Sequence, residues 1–223
     1  MVYNVPVGVY DANLVVISEE STESGVDLNR QLAQPGSAAA AKQAQSMNRR
    51  GWLQRIAVAQ SPTVKSRGII CAGGFIIPCA IGRAGITRQK REGDGATPCG
   101  RMALVGVFYR PDRVRRPVTG LPVFPLRRDA GWCDDPTDRR YNRVVSLPFR
   151  ASHERLWRTD NLYDLIVVLD YNLDHPRPGA GSAIFLHIAT ADFAPTEGCV
   201  AVAMPSMRRL LAQAGPGTCL VTR

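Results

Sequence analysis

With 223 residues, 45% of them hydrophobic and 21% charged, the chain has the composition of a globular domain with a full core, not of a disordered or fibrous protein. Its formal charge of +9, from 28 Lys and Arg against 19 Asp and Glu, would suit an anionic partner such as nucleic acid or cell-wall polymer. The excess is nearly all arginine, spread from Arg49 to Arg223 with Lys42, Lys65 and Lys90 as the only lysines, and no helix-turn-helix, RNA-binding sheet or zinc-finger pattern accompanies it, so no nucleic-acid partner is expected.

The N-terminal stretch MVYNVPVGVYDANLVVISEE carries no basic residue before Arg30, and Asp11 interrupts its apolar part. It does not read as a secretory signal. Residues from Ser21 to Gln45 are polar and Ala-rich, a disordered or loosely helical lead-in. Met47 opens MNRRGWLQRIAVAQ, which would serve as a start by itself. Residues 1–48 are therefore assigned as a tail and 49–223 as the domain.

From Trp52 the texture changes. LQRIAVA at 53–59 predicts a strand, and the β-branched runs GII and GFIIPCAI around Ala72-Gly73-Gly74 predict a hairpin. MALVGVFY at 102–109, DLIVVLDY at 164–171 and SAIFLHIA at 182–189 predict further strands, the second apolar enough to be central. The interval 110–160 is rich in Pro, Arg and Asp without clean periodicity. It reads as a long irregular excursion, of the kind that forms lids or binding walls. Met207, Leu210, Leu211 and Ala214 recur at helical spacing between Pro205 and Gly215, and TCLVT closes the chain as a strand. The balance is mainly β with one or two short helices. No apolar run approaches the roughly 20 residues of a membrane span.

Six cysteines form no CxxC pair, so no zinc site is expected, and no other metal or cofactor. GWCDDPTDRRYNR holds three Asp but lacks calcium-loop spacing, so pairing with Arg139 and Arg140 is the expected use. KREGDGATPCG at 90–100 lacks the GK[ST] of a phosphate loop, and Glu92 there reads as part of a solvated turn. GAGSA around Ser182 falls short of a nucleophile elbow.

The informative segment is HIATADFAPTEGC, from His187 to Cys199. It sets an imidazole at the end of an apolar strand and a thiol just past a Thr-Glu-Gly turn. A thiol and an imidazole are the minimum for acyl transfer, one attacking a carbonyl and the other relaying the proton. Gly198 permits a sharp turn whose N–H groups can face an oxyanion. Each residue also has a plainer reading: a free Cys is most often a small buried hydrophobe, and a His on an apolar strand is often a satisfied core residue. His153 and His175 lie in surface-like stretches.

At TEGC the chain resembles the L,D-transpeptidase (YkuD-like) catalytic domain family, which carries a strand-terminal His, a loop, and [ST]-x-G-C followed by an apolar residue. Here these are His187, Thr196, Gly198, Cys199 and Val200. GDGATPCG at 93–100 is similar to the family's early G-D-G-x-T-P-x-G turn, and the resemblance covers roughly residues 65–222. It implies a β-sandwich-like fold and a cysteine acyltransferase acting on peptidoglycan stem peptides. In that role Cys199 is the nucleophile, His187 the proton donor and acceptor, held through a backbone carbonyl, and Gly198 supplies an oxyanion N–H. Thr196, Glu197, Trp132, Tyr171 and Asn172 are the expected substrate-binding residues. A thioester at Cys199 would pass to an amine as a 3→3 cross-link. Water as acceptor would give an L,D-carboxypeptidase, and a non-catalytic wall-binding domain is the rival from another class. A thiol without a depressed pKa would favour that rival. Two departures stand out: many members read [ST]-H-G-C-[IV]-[RN], where this chain has Glu197 and Ala201. The resemblance also implies a periplasmic or cell-envelope location, although no signal peptide is visible, and a monomer is expected.

Overall fold

The computed structural model describes residues 51–223; what was expected of the 1–48 tail, its Ser21–Gln45 lead-in and Met47 lies outside the described residues. The first half of the domain contributes β1 (Arg55–Gln60), β2 (Arg67–Ala72), β3 (Phe75–Ala80), β4 (Ile86–Thr87), β5 (Thr97–Pro98) and the long β6 (Gly100–Tyr109). The excursion adds β7 (Val123–Pro125), β8 (Ala130–Cys133), β9 (Val144–Ser146) and β10 (His153–Arg155). Then follow β11 (Leu165–Leu169), β12 (Phe185–Ile188), β13 (Val200–Val202), α1 (Met204–Gln213) and β14 (Cys219–Thr222).

The principal sheet runs β11-β12-β13-β3-β2-β1-β14-β6-β7, and β11 also pairs with β6. Eight strands thus close into a ring, with β7 attached outside it. The length of β6 makes closure possible: its first part pairs with β14 through Gly100–Ala103, and its second part, from Leu104 to Tyr109, takes β11 on the other side. Closure removes two edges that would otherwise expose unpaired backbone groups.

Alternation along the strands separates two cores. Leu165, Val167 and Leu169 of β11, Leu186 and Ile188 of β12, and Val200 and Val202 of β13 join the main cluster enclosed by the ring, together with Met207, Leu210 and Leu211 of α1. The intervening residues Ile166, Val168 and Phe185 point the other way, into a second cluster with Trp132, Leu156 and Tyr163. Both faces of β11 are therefore covered, which is why all five of its residues are buried and why LIVVL reads as an unbroken apolar run.

The excursion supplies the cover. β8 pairs with β9 and β10 to form a separate three-stranded sheet, a cap over the outer face of β11 and β12. This corrects the reading of 110–160 as irregular; its strands are only three or four residues long, too short for periodicity to register. The remaining expectations hold: a mainly β chain, a hairpin around Gly73-Gly74, one amphipathic helix and a final strand.

The cap and the ring share Leu156, fully buried between them. Leu156→Ala is expected to lower unfolding stability by about 2–5 kcal/mol, the usual cost of emptying a packed site, read as a reduced denaturant midpoint at unchanged slope.

Candidate active site

β12 and β13 run parallel, with Leu186 opposite Val200 and His187 opposite Ala201. Cys199 stands one step before this ladder, and its thiol accepts the Phe185 N–H at 3.4 Å. Since Leu186 and Val200 face the inner core, His187 and Cys199 share the outer face, beneath the cap. Both border one cavity of about 530 Å³, together with Glu92, Asp134, Glu154, Tyr163, Thr196 and Glu197.

The turn that presents the thiol is built from short polar contacts. Thr196 donates its hydroxyl to the Cys199 carbonyl at 2.6 Å and accepts the Gly198 N–H at 3.2 Å. Gly198 has φ +140°, and a Cβ there would come within 2.8 Å of the Ala96 carbonyl, so only glycine fits. That carbonyl belongs to the Gly-Asp-Gly turn. Asp94 anchors this turn: burial alone would raise its carboxyl, but the Lys90 ammonium at 2.5 Å and the N–H groups of Arg91 and Ala96 hold it below the usual carboxylate range. The two sequence motifs, a hundred residues apart, are thus one packed unit.

His187 is buried, with Nδ1 placed 2.9 Å from the Ile188 carbonyl. A carbonyl only accepts, so Nδ1 carries the hydrogen and Nε2 is left as an acceptor. Burial pushes the imidazole down to about 4, against the pull of that carbonyl, and the ring is neutral near pH 7. Tyr163 stands edge-on to it, ring centroids 5.2 Å apart. The Cys199 thiol is pushed up to about 12, first by burial and then by the nearby Glu154 carboxylate, with the Phe185 N–H opposing. Its S–H is donated to the Ala183 carbonyl at 3.1 Å, so the thiol's hydrogen bonds run to Ala183 and Phe185 and not to His187. The resting pair is a neutral thiol beside a neutral imidazole, the reverse of the depressed thiol expected of a working nucleophile and, on that criterion alone, the outcome expected of the wall-binding rival. Desolvation beneath the cap is the cause.

The other expected residues divide. Thr196 and Glu197 border the cavity, Glu197 as an exposed carboxylate paired with Arg83. Trp132, Tyr171 and Asn172 do not border it, and neither does Gly198, whose N–H goes to the Thr196 hydroxyl. The Trp132 side chain is fully buried against Phe185 and donates its indole N–H to Asn142 at 2.8 Å. Tyr171 donates its hydroxyl to the Ala180 carbonyl, and Asn172 ties Arg177 to Gly181. These three shape the wall from behind.

Two carboxyls on the cavity escaped the sequence reading. Glu92 is not simply a solvated turn residue: it accepts the hydroxyls of Tyr141 and Ser182. Glu154 accepts the Tyr163 hydroxyl at 2.5 Å, and burial raises its pKa despite that bond. One signal was present for Glu154, its period-two relation to the buried Leu156. In the Asp-rich stretch, Asp138 pairs with Arg140 as expected, while one buried oxygen of Asp134 has no hydrogen-bond partner.

The family model for the L,D-transpeptidase catalytic domain (YkuD) matches residues 72–222. No curated protein and no solved structure matches the chain.

Two outcomes follow from the geometry. Gly198→Ala is expected to cost about 1–3 kcal/mol in stability, the range for a strained backbone position, measured by chemical denaturation. For His187 the folded pKa lies below the unfolded one, so the unfolded chain binds more protons between pH 6.5 and about 4. The stability advantage of wild type over His187→Gln is therefore full above pH 6.5 and shrinks by up to ~3 kcal/mol as pH falls to 4. Paired unfolding curves across that range measure the difference, so the opposite slope from Glu154 cancels.

Proposed function

Because the chain belongs to the L,D-transpeptidase catalytic domain (YkuD) family, we propose that residues 49–223 form a cysteine acyltransferase domain acting on peptidoglycan stem peptides. The observation that carries this reading is the placement of Cys199 and His187 on one face of adjacent strands, bordering one cavity, with Nδ1 of His187 held by the Ile188 carbonyl.

The resting charges dictate the order of events. Burial raises the pKa of the thiol and lowers that of the imidazole, so both groups are read as neutral before substrate enters. Proton transfer from Sγ to Nε2 therefore accompanies attack on the carbonyl of the third stem residue. The thiol first leaves Ala183 and turns toward the imidazole, its diagonal neighbour on the sheet. The new C–S bond forms as the carbonyl π pair moves to oxygen. The Gly198 N–H, lent to the Thr196 hydroxyl in the resting state, turns to that oxyanion. Collapse expels the terminal D-alanine, whose amine takes the proton from His187. In the second half, the side-chain amine of another stem gives a proton to His187 and attacks the thioester. The thiol leaves reprotonated and a 3→3 peptide bond remains. Water in place of the amine yields trimming instead.

The substrate places this chemistry in the periplasm or cell envelope. None of the described helices is long and apolar enough to cross a membrane.

Intact-mass measurement after incubation with a carbapenem, a β-lactam that acylates the family's nucleophile, tests the assignment. Wild type is expected to gain one adduct and Cys199→Ala none, while His187→Gln acylates roughly 10²–10⁴-fold more slowly, the usual contribution of a general base. An adduct that persists in Cys199→Ala overturns it, as does a wild-type protein that stays unmodified. Muropeptide products then separate cross-linking from trimming, and co-sedimentation with isolated cell wall without either product favours a wall-binding module.

A further inference from the structure

Asn142 lies outside the cavity, yet it is 99% buried and makes more polar contacts than a core side chain needs. Its carboxamide oxygen accepts the Trp132 indole N–H at 2.8 Å and the Ala183 N–H at 3.0 Å. Its amide nitrogen donates to the carbonyls of Tyr171 at 3.2 Å and Asn172 at 2.7 Å. One side chain thus joins the cap, the β11–β12 connection and the residue whose carbonyl receives the Cys199 S–H.

Ala183 is the unusual link. It has φ +51°, a conformation that costs an alanine about 1 kcal/mol or more and persists only where the surroundings impose it. The residues before it are held as firmly: Gly181 donates to the Tyr141 hydroxyl, Asn172 donates to the Gly181 carbonyl, and Ser182 donates to Glu92. The result is a carbonyl aimed at Cys199 Sγ, 3.1 Å away.

We propose that Asn142 is a positioning residue for the nucleophile: through Ala183 it holds a carbonyl latch that keeps the Cys199 thiol protonated and turned from His187 until substrate enters. The inference rests on the reading of Cys199 as the nucleophile, but its consequence lies in the thiol itself and can be read without turnover. An S–H···O=C bond exists only while the thiol is neutral; a thiolate in the same place faces the negative end of the carbonyl dipole. Releasing the latch therefore eases ionisation. The other charged or titratable groups around the thiol are Glu154, Tyr163, Arg158 and Asp134 from the cap side, Lys90 and Glu92 from the Gly-Asp-Gly turn, His187 on β12, and Glu197 on the loop before the thiol, paired with Arg83. Replacement of Asn142 changes none of them.

The test is the pH profile of Cys199 alkylation by iodoacetamide, read by peptide mass so that the other five cysteines do not interfere. Asn142→Gly removes the side chain while tolerating the φ of +57° at that position. In wild type, log rate is expected to climb with unit slope through pH 10. In Asn142→Gly it should level off at least one pH unit earlier. Trp132→Phe, which loosens the same region but leaves Asn142 on Ala183, should keep the wild-type profile. Asn142→Ala removes the same contacts without adding charge and should also level off earlier, a comparison that stands even where the glycine variant does not fold. A uniform rise in rate at all pH values, without earlier levelling, would mean greater access only and overturn the latch. Equal bending in Trp132→Phe, or an unchanged wild-type profile in folded Asn142→Ala, would overturn it too. Carbapenem acylation reports separately on the nucleophile: its failure beside a bent Asn142→Gly profile removes the enzymatic reading and leaves the latch.

Discussion

Two strands that lie side by side and point the same way must be joined by a chain that returns to its starting end, normally through a helix. Between β12 and β13 this return takes only residues 189–199, and the site depends on how the short loop is pinned. Thr190 caps its start by accepting the Ala194 N–H, and Thr196 joins the segment after β3 through Ile81 and Arg83. The final bend falls on Gly198, pressed against Ala96. With both ends fixed, Cys199 has one place to go: onto the outer face, next to Phe185 and diagonal to His187. The placement of Cys199 and His187 on one face is a consequence of how the parallel pair is closed.

The outer face would be wet without the cap. Covering it with β8, β9 and β10 removes water from the thiol and imidazole together, and this moves their pKa values apart, one up and one down. Glu154 adds to the separation. Its strand β10 sets it opposite Trp132, and Tyr163 bridges from it to the edge of the His187 ring. A desolvated site strengthens each aimed dipole and penalises each unpaired charge.

Much of this was legible in the residues. The long apolar strands and the helix announced themselves through period and length, and the thirteen-residue His-to-Cys segment stood out because thiol and imidazole are scarce. β13 was hidden because three residues, Val-Ala-Val, do not make a pattern, and the cap because its strands are equally short. Trp132, Tyr171 and Asn172 stand near the site, but their hydrogen bonds point into the wall. Such inward use cannot be told from cavity lining without register. Glu92 looked solvated because its partners, Tyr141 and Ser182, are remote in sequence. The direction of the thiol shift was illegible for the same reason: desolvation belongs to the packing of distant segments.

A neutral resting pair also changes what the protein must supply. An ion pair held between two buried side chains carries a desolvation cost for both charges, and a standing thiolate would be open to oxidation. Keeping both groups neutral avoids each penalty, but the proton must then move while the C–S bond forms. In the proposed reaction a carbonyl correctly seated above the thiol makes that movement favourable, since the negative charge leaves sulfur for the oxyanion donors in the same event. On this view, burial under the cap and selectivity for a well-placed acyl donor are one property, and a loosely bound carbonyl would leave the proton on sulfur.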